Sequence, residues 1–347
     1  MEMGGNILQP LISILIATYN RLDFVRQTLT SCLSQSYLNF EVILLDDGST
    51  DGTREWGEAI LDSRVHYRYV SHRGAGALAE IYSDMLAMAQ GEYIALLDAD
   101  DFYIDSVAVE SLATAIVDIV DEDVKMVFGS VQPVDVAGRP FSIDVGFTLS
   151  RHQQLNSNAL SRSDFVKNLL QTNFIPANAV LIEAQALRAV GGFRSFPSFP
   201  AQDFQTWLAL ALDYRILHIP RIITAWRHHP GQTTSTRGLA LAEGSPGVIR
   251  HFFNLAVQKG LLQQADWPEI ETAFHLSLGR NYWAQVQHMA RAQRWSDVRR
   301  YARKQFAYGT WPMRVEAIVA CTASFVRWDV VTPALVWAQR RGVRINN

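Results

Sequence analysis

Three carboxylates fall within four residues at Asp98-Ala99-Asp100-Asp101. So dense a cluster repels itself unless a cation or strong hydrogen-bond donors neutralise it. Hard divalent cations such as Mg2+ and Mn2+ favour oxygen ligands and are often held by one or two carboxylates together with substrate phosphates. A cation held here against a diphosphate is one reading; Asp residues that only shape a turn and cap a helix are the other. A second cluster, Asp46-Asp47-Gly48-Ser49, suits hydrogen bonds from ribose hydroxyls or a base N–H. It equally suits an Asx turn, with Gly48 at positive φ and Ser49 or Asp51 capping the next helix.

Both clusters come directly after apolar runs that could position them. Residues 11–17, 40–45, 65–70 and 93–97 are apolar or β-branched and of strand length, with helical patterns at 23–35, 53–61 and 76–89 between them. Leu78, Ile81, Met85 and Met88 share one helix face. Such alternation predicts an α/β fold, a mostly parallel sheet covered on both faces. Ligands of these sheets bind beyond the carboxyl ends of the strands. There the chain places Thr18-Tyr19-Asn20-Arg21, residues 46–49, His72-Arg73-Gly74-Ala75-Gly76 and residues 98–101. A helix after 102 and a strand at 125–131 extend the sheet, and 132–160 reads as loop-rich. Beyond it come helices near 162–170 and 183–190, a strand near 178–182 and a helix at 204–212, opened by Asp203 as its cap.

Gly74-Ala75-Gly76-Ala77-Leu78-Ala79 matches the dinucleotide fingerprint and seeds a rival, a nicotinamide-dependent oxidoreductase. It comes after the third apolar run rather than the first, and a tight turn explains it as well.

Three segments in order, SILIATYNR (13–21), EVILLDDGSTDGT (41–53) and AQGEYIALLDADD (89–101), resemble family-2 glycosyltransferases of the GT-A fold. VGGFR (190–194), QDFQTWLAL (202–210) and AWRHHPGQTTS (225–235) match weaker, later motifs of that family, so the likeness runs over residues 11–235. It implies a nucleotide-diphosphate-sugar donor, a UDP-sugar above all, along the strand ends. Ala17 and Tyr19 would lie by the base, and Asp47 would reach base or ribose. Asp100 would be the direct ligand of Mn2+ or Mg2+, with Asp98 facing ribose or metal-bound water and Asp101 a secondary candidate. Asp203 falls on the catalytic base, and His229 on a histidine that approaches metal or diphosphate. The implied reaction is inverting transfer to a hydroxyl of a glycan, polysaccharide or lipid-linked acceptor. The chain departs from the family pattern at Gln202, where Glu is common, at Ala209, where Arg is frequent, and at Tyr82-Ser83, where Asn is usual. Arg73 or Arg227 is the candidate cation for the donor in compensation. The same losses motivate an alternative, a catalytically silent sugar-nucleotide-binding or scaffold protein.

Composition narrows the setting. The chain has 347 residues, 31 basic and 34 acidic, and its net charge of −3 gives no reason to expect nucleic acid as a partner. Cys32 and Cys321 are far apart and imply neither a zinc ribbon nor a redox pair, which suits a reducing, cytoplasmic setting. Residues 3–20 are uncharged, but Gly4, Gly5, Asn6, Pro10 and Ser13 interrupt them; they read as a buried strand with a polar leader. Residues 246–347 hold 14 basic against 6 acidic side chains, and 1–245 hold 17 against 28. This places a boundary in the Gly244-Ser245-Pro246-Gly247 run, with a catalytic domain at 1–245 and a basic helical domain at 246–347. Arg299, Arg300, Arg303 and Lys304 around Tyr301 read as a solvated helix face, or as a contact with anionic lipid or an anionic acceptor. Trp295, Trp311, Trp328 and Trp337 read as core or interface. The variable acceptor side is expected in 132–160 and 193–202.

Overall fold

Ile12, Ile14 and Ile16 point to one side of the first strand and Ser13 and Leu15 to the other, and all five are fully buried. A strand covered on both faces cannot alternate apolar with polar residues, which is why the apolar runs are nearly continuous. The computed structural model describes residues 9–325 apart from 75, 143–152, 154, 197, 198, 200, 230, 234–237 and 292.

The strands are β1 (Ile12–Thr18), β2 (Phe40–Asp46), β3 (Val65–Tyr69), β4 (Tyr93–Leu96), β5 (Phe102–Tyr103), β6 (Val124–Val134), β7 (Val180–Glu183) and β8 (Arg215–Arg227). They form one sheet in the order β3-β2-β1-β4-β7-β6-β8-β5. β1 pairs in parallel with β2 and β4, β2 with β3, and β6 with β8, while β7 and β5 run antiparallel to their neighbours. The sheet is therefore mostly parallel, as expected. Its helices are α1 (Leu22–Leu33), α2 (Thr53–Glu58), α3 (Leu78–Met88), α4 (Ala108–Val117), α5 (Arg162–Gln171), α6 (Ala184–Ala189) and α7 (Asp203–Asp213).

Three features differ from the expectations. β8 was not foreseen, and β6 continues to Val134 into the stretch read as loop. Asp203 is the first residue of α7 rather than its cap, a place taken by Gln202, whose side chain makes no capping bond.

The chain divides into two compact units. Most residues to 229 form the first; the second takes those from 230 together with 166–173 and 197–199. The second unit is helical: α8 (Gly238–Gln258), α9 (Trp267–Arg291), α10 (Trp295–Tyr308) and α11 (Trp311–Phe325). Pro246, in the run where the sequence suggests a boundary, lies inside α8. Pro268 and Pro312 sit in the first turns of α9 and α11, where a missing N–H is harmless. Of the basic cluster, Arg300 and Arg303 are exposed, Lys304 pairs with Glu243 at 2.9 Å and Tyr301 is buried. Trp328 and Trp337 lie outside the described residues. No helix among the described residues is long and apolar enough to cross a membrane.

Candidate active site

The loops after β1 and β2 are stitched to each other. Asn20, held at φ 51°, accepts the Thr50 N–H on its side-chain oxygen, and its own N–H donates to the Ser49 hydroxyl. Asn tolerates this left-handed backbone better than most residues. Asp46 is fully buried, taking the Ser49 N–H on one oxygen and the Tyr67 hydroxyl on the other. Asp51 accepts the Leu22 N–H and the N–H and hydroxyl of Thr53, so it serves the starts of both α1 and α2. These residues build the turn, and Gly48 adopts φ 81° as expected.

On that frame stand the residues expected by the base. Ala17, one residue before the end of β1, is half-buried and Tyr19 is exposed. The Tyr19 ring lies flat against the His72 ring, centroids 3.9 Å apart. Asp47 is buried, receiving the Arg73 N–H at 3.0 Å on Oδ1 and His72 Nδ1 at 2.8 Å on Oδ2. The Arg73 guanidinium is turned instead to Asp84, at 2.6 Å.

The acidic loop after β4 is a second group. Burial, then the charges of Asp100 and Asp203, push the Asp98 carboxyl up to about 7, against a pull down from Arg21. The Tyr82 hydroxyl faces Asp98 at 3.5 Å, and burial with the charges of Asp98, Asp100 and Asp203 keeps that phenol protonated. Asp100 shares Oδ2 between Arg21 at 3.1 Å and His229 Nε2 at 2.8 Å; these contacts outweigh burial and hold its carboxyl below the ordinary range. Asp98, Asp100, Asp203, His229 and Arg21 thus come together, although Asp203 and His229 lie more than 100 residues down the chain.

Asp101 is structural rather than a ligand candidate. Fully enclosed, it accepts the Arg227 N–H at 2.7 Å on Oδ1 and the Asn178 amide on Oδ2. Replacing it with Ala leaves both donors unpaired in the interior, at about 1–3 kcal/mol for each. We expect Asp101→Ala to melt well below the parent, and a calorimetric scan of the two checks this. Arg227, offered as a donor cation, is likewise committed. It is 3% exposed, bonded to the carbonyls of Asp100 and Val136, and stacked over Phe24 and Phe102. His228 packs on Phe141 and Trp226 while His229 reaches Asp100. Sequence reading missed Arg21 and Tyr82 as members of the cluster. Arg21 stood inside a motif already singled out, but its partner lies 79 positions on.

The family model for glycosyl transferase family 2 matches residues 13–176. An uncharacterized glycosyltransferase of Haemophilus influenzae is 31% identical over 202 residues, 57% of this chain and 71% of that protein. The chain belongs to glycosyltransferase family 2. A second relative of this glycosyltransferase is the UDP-Glc:alpha-D-GlcNAc-diphosphoundecaprenol beta-1,3-glucosyltransferase WfaP of Escherichia coli, 26% identical over 65% of this chain and 81% of its own. Among solved structures, a mannosyltransferase of Pyrobaculum calidifontis in complex with GDP-Man and Mn2+ shares the fold. Its TM-score is 0.53 at 20% identity, over 97% of this chain and 85% of that one. The nicotinamide reading falls with the family assignment, and the Gly-rich turn that seeded it comes after the edge strand β3.

Family-2 glycosyltransferases commonly use a divalent cation, and the donor set can be tested for one. Among the described residues no three His, Cys, Asp or Glu side chains converge as a ready cage. Asp100 is already shared by Arg21 and His229, whereas the like charges around Asp98 are what a cation would relieve. The residues fit an ion held by one or two carboxylates and completed by substrate phosphates, not one enclosed by protein alone.

Proposed function

We propose that this glycosyltransferase inverts, moving a sugar from a nucleotide-diphosphate donor, UDP-linked in the first instance, to a hydroxyl of a glycan or lipid-linked acceptor. The observation that carries the proposal is the meeting of Asp98, Asp100 and Asp203 at the carboxyl edge of the sheet. Tyr19 would stack on the base and Asp47 accept its N–H, while Asp98 and Asp100 would hold Mn2+ or Mg2+ together with the substrate diphosphate, and His229 would approach the ion or the diphosphate. Bound there, the ion would neutralise the charge that develops on the leaving diphosphate. Asp203 would take the proton from the acceptor hydroxyl as it attacks the anomeric carbon from the face opposite the leaving group. A single displacement of that kind inverts the anomeric configuration and needs no covalent enzyme intermediate.

The Escherichia coli relative, by its name, acts on an acceptor linked to diphosphoundecaprenol, and this supports a lipid-linked acceptor here. The exposed Arg300 and Arg303 on α10 suit contact with an anionic membrane surface. The test is release of nucleoside diphosphate from a panel of UDP- and GDP-sugars with Mn2+. Turnover is expected to fall at least about tenfold on chelation and to return with Mn2+ or Mg2+; turnover indifferent to chelator would sink the metal assignment. Donor binding without turnover on any acceptor would favour the silent reading, which rests on Gln202 and Ala209.

A further inference from the structure

In the sheet order β3-β2-β1, the end of β3 lies two strands, roughly 9–10 Å, from the end of β1. The His72 side chain nevertheless folds back over Asp47, just past β2, to lie on Tyr19, just past β1. The ring planes are only 11° apart, and Nδ1 faces both Asp47 Oδ2 at 2.8 Å and the Asp47 carbonyl at 2.9 Å. Gly48 lets this happen: a Cβ there would stand 2.5 Å from the His72 backbone nitrogen. A flat heteroaromatic ring stacked on Tyr19 with a ring nitrogen against the Asp47 carboxylate presents what a nucleobase would present at the same place.

We infer that His72 occupies the nucleobase position in the free protein and must vacate it for the donor to bind. The inference rests on the assignment of Tyr19 and Asp47 to the base, and adds a residue that sets donor affinity. Among the described residues little else holds the ring in place. The His72 side chain is 39% exposed and Tyr19 42%, so leaving costs one stack and the bonds to Asp47. A site open only part of the time binds with its intrinsic affinity reduced by the open fraction.

Titration calorimetry with UDP and with GDP, each with Mn2+, tests this on the full chain. His72→Ala is expected to bind the preferred nucleotide about fivefold tighter and to lower the donor KM with kcat unchanged, because only the open fraction changes. In a Tyr19→Ala background the gain should shrink, since the displaced stack is already lost. Histidine ring NMR gives a readout that a merely structural residue would not move: the His72 signals, identified by their loss in His72→Gln, should shed the Tyr19 ring-current shift when UDP is added. Unchanged or weaker nucleotide binding by His72→Ala overturns the inference while leaving the donor site standing. Failure of every version, parent included, to bind either nucleotide overturns the donor-site assignment and the inference with it.

Discussion

Asp203→Asn is expected to cut transfer by about 10²–10⁴-fold, the range for loss of a positioned general base, while donor binding is unchanged. Asn keeps the size and polarity of Asp but cannot take a proton. Asp203 is the first residue of α7, and every residue from Phe204 to Leu212 behind it is buried, so the helix that carries it is anchored along its whole length. The substitution also leaves Gln202 at the cap, where its side chain already makes no capping bond. The fold should therefore tolerate the change. The loss should lie in kcat rather than in nucleotide affinity, because a proton is taken only in the transition state. Single-turnover rates beside calorimetric donor affinities decide the matter. A variant that transfers sugar at the parent rate would remove Asp203 from the mechanism, whatever its place in the cluster.

The strand-end motifs were legible because parallel strands buried on both faces must be almost wholly apolar, and their ends must be polar. β8 escaped notice for the converse reason. Its sequence carries Arg215, His218, Pro220 and Arg221, its burial is irregular, and its pairing with β6 slips register at three places. No simple period survives that. The acidic loop was legible as a cluster but not in its division of labour. Asp98, Asp100 and Asp101 are near-identical in sequence, and only their partners separate them: Arg21 and His229 for Asp100, Arg227 and Asn178 for Asp101. Tyr82 was noticed only as half of the Tyr82-Ser83 pair that replaces the family's Asn. In the fold it is a buried phenol that places a neutral donor beside three carboxylates.

Asp98→Asn is expected to move activity and stability in opposite directions. The folded Asp98 carboxyl titrates near 7 against an ordinary 3.8, raised first by burial and then by Asp100 and Asp203. Between those values the native protein keeps a proton that the unfolded chain has released. Stability therefore falls as pH rises from about 4 to 7 and stays lowered above that. Asn carries no charge at any of these pH values and its oxygen can still face the Tyr82 hydroxyl. Free of metal at pH 8, the variant should be more stable by up to about 4 kcal/mol, roughly 2–4 °C in Tm for each kcal/mol, and the advantage should vanish near pH 4. Transfer should fall by about 10²-fold or more, since the charge that burdens the resting fold is the one available to a cation and a leaving diphosphate. Melting curves at both pH values, beside turnover, test the two halves separately. A variant destabilised equally at pH 4 and pH 8 would mean that the carboxylate is held for packing, not tolerated for chemistry.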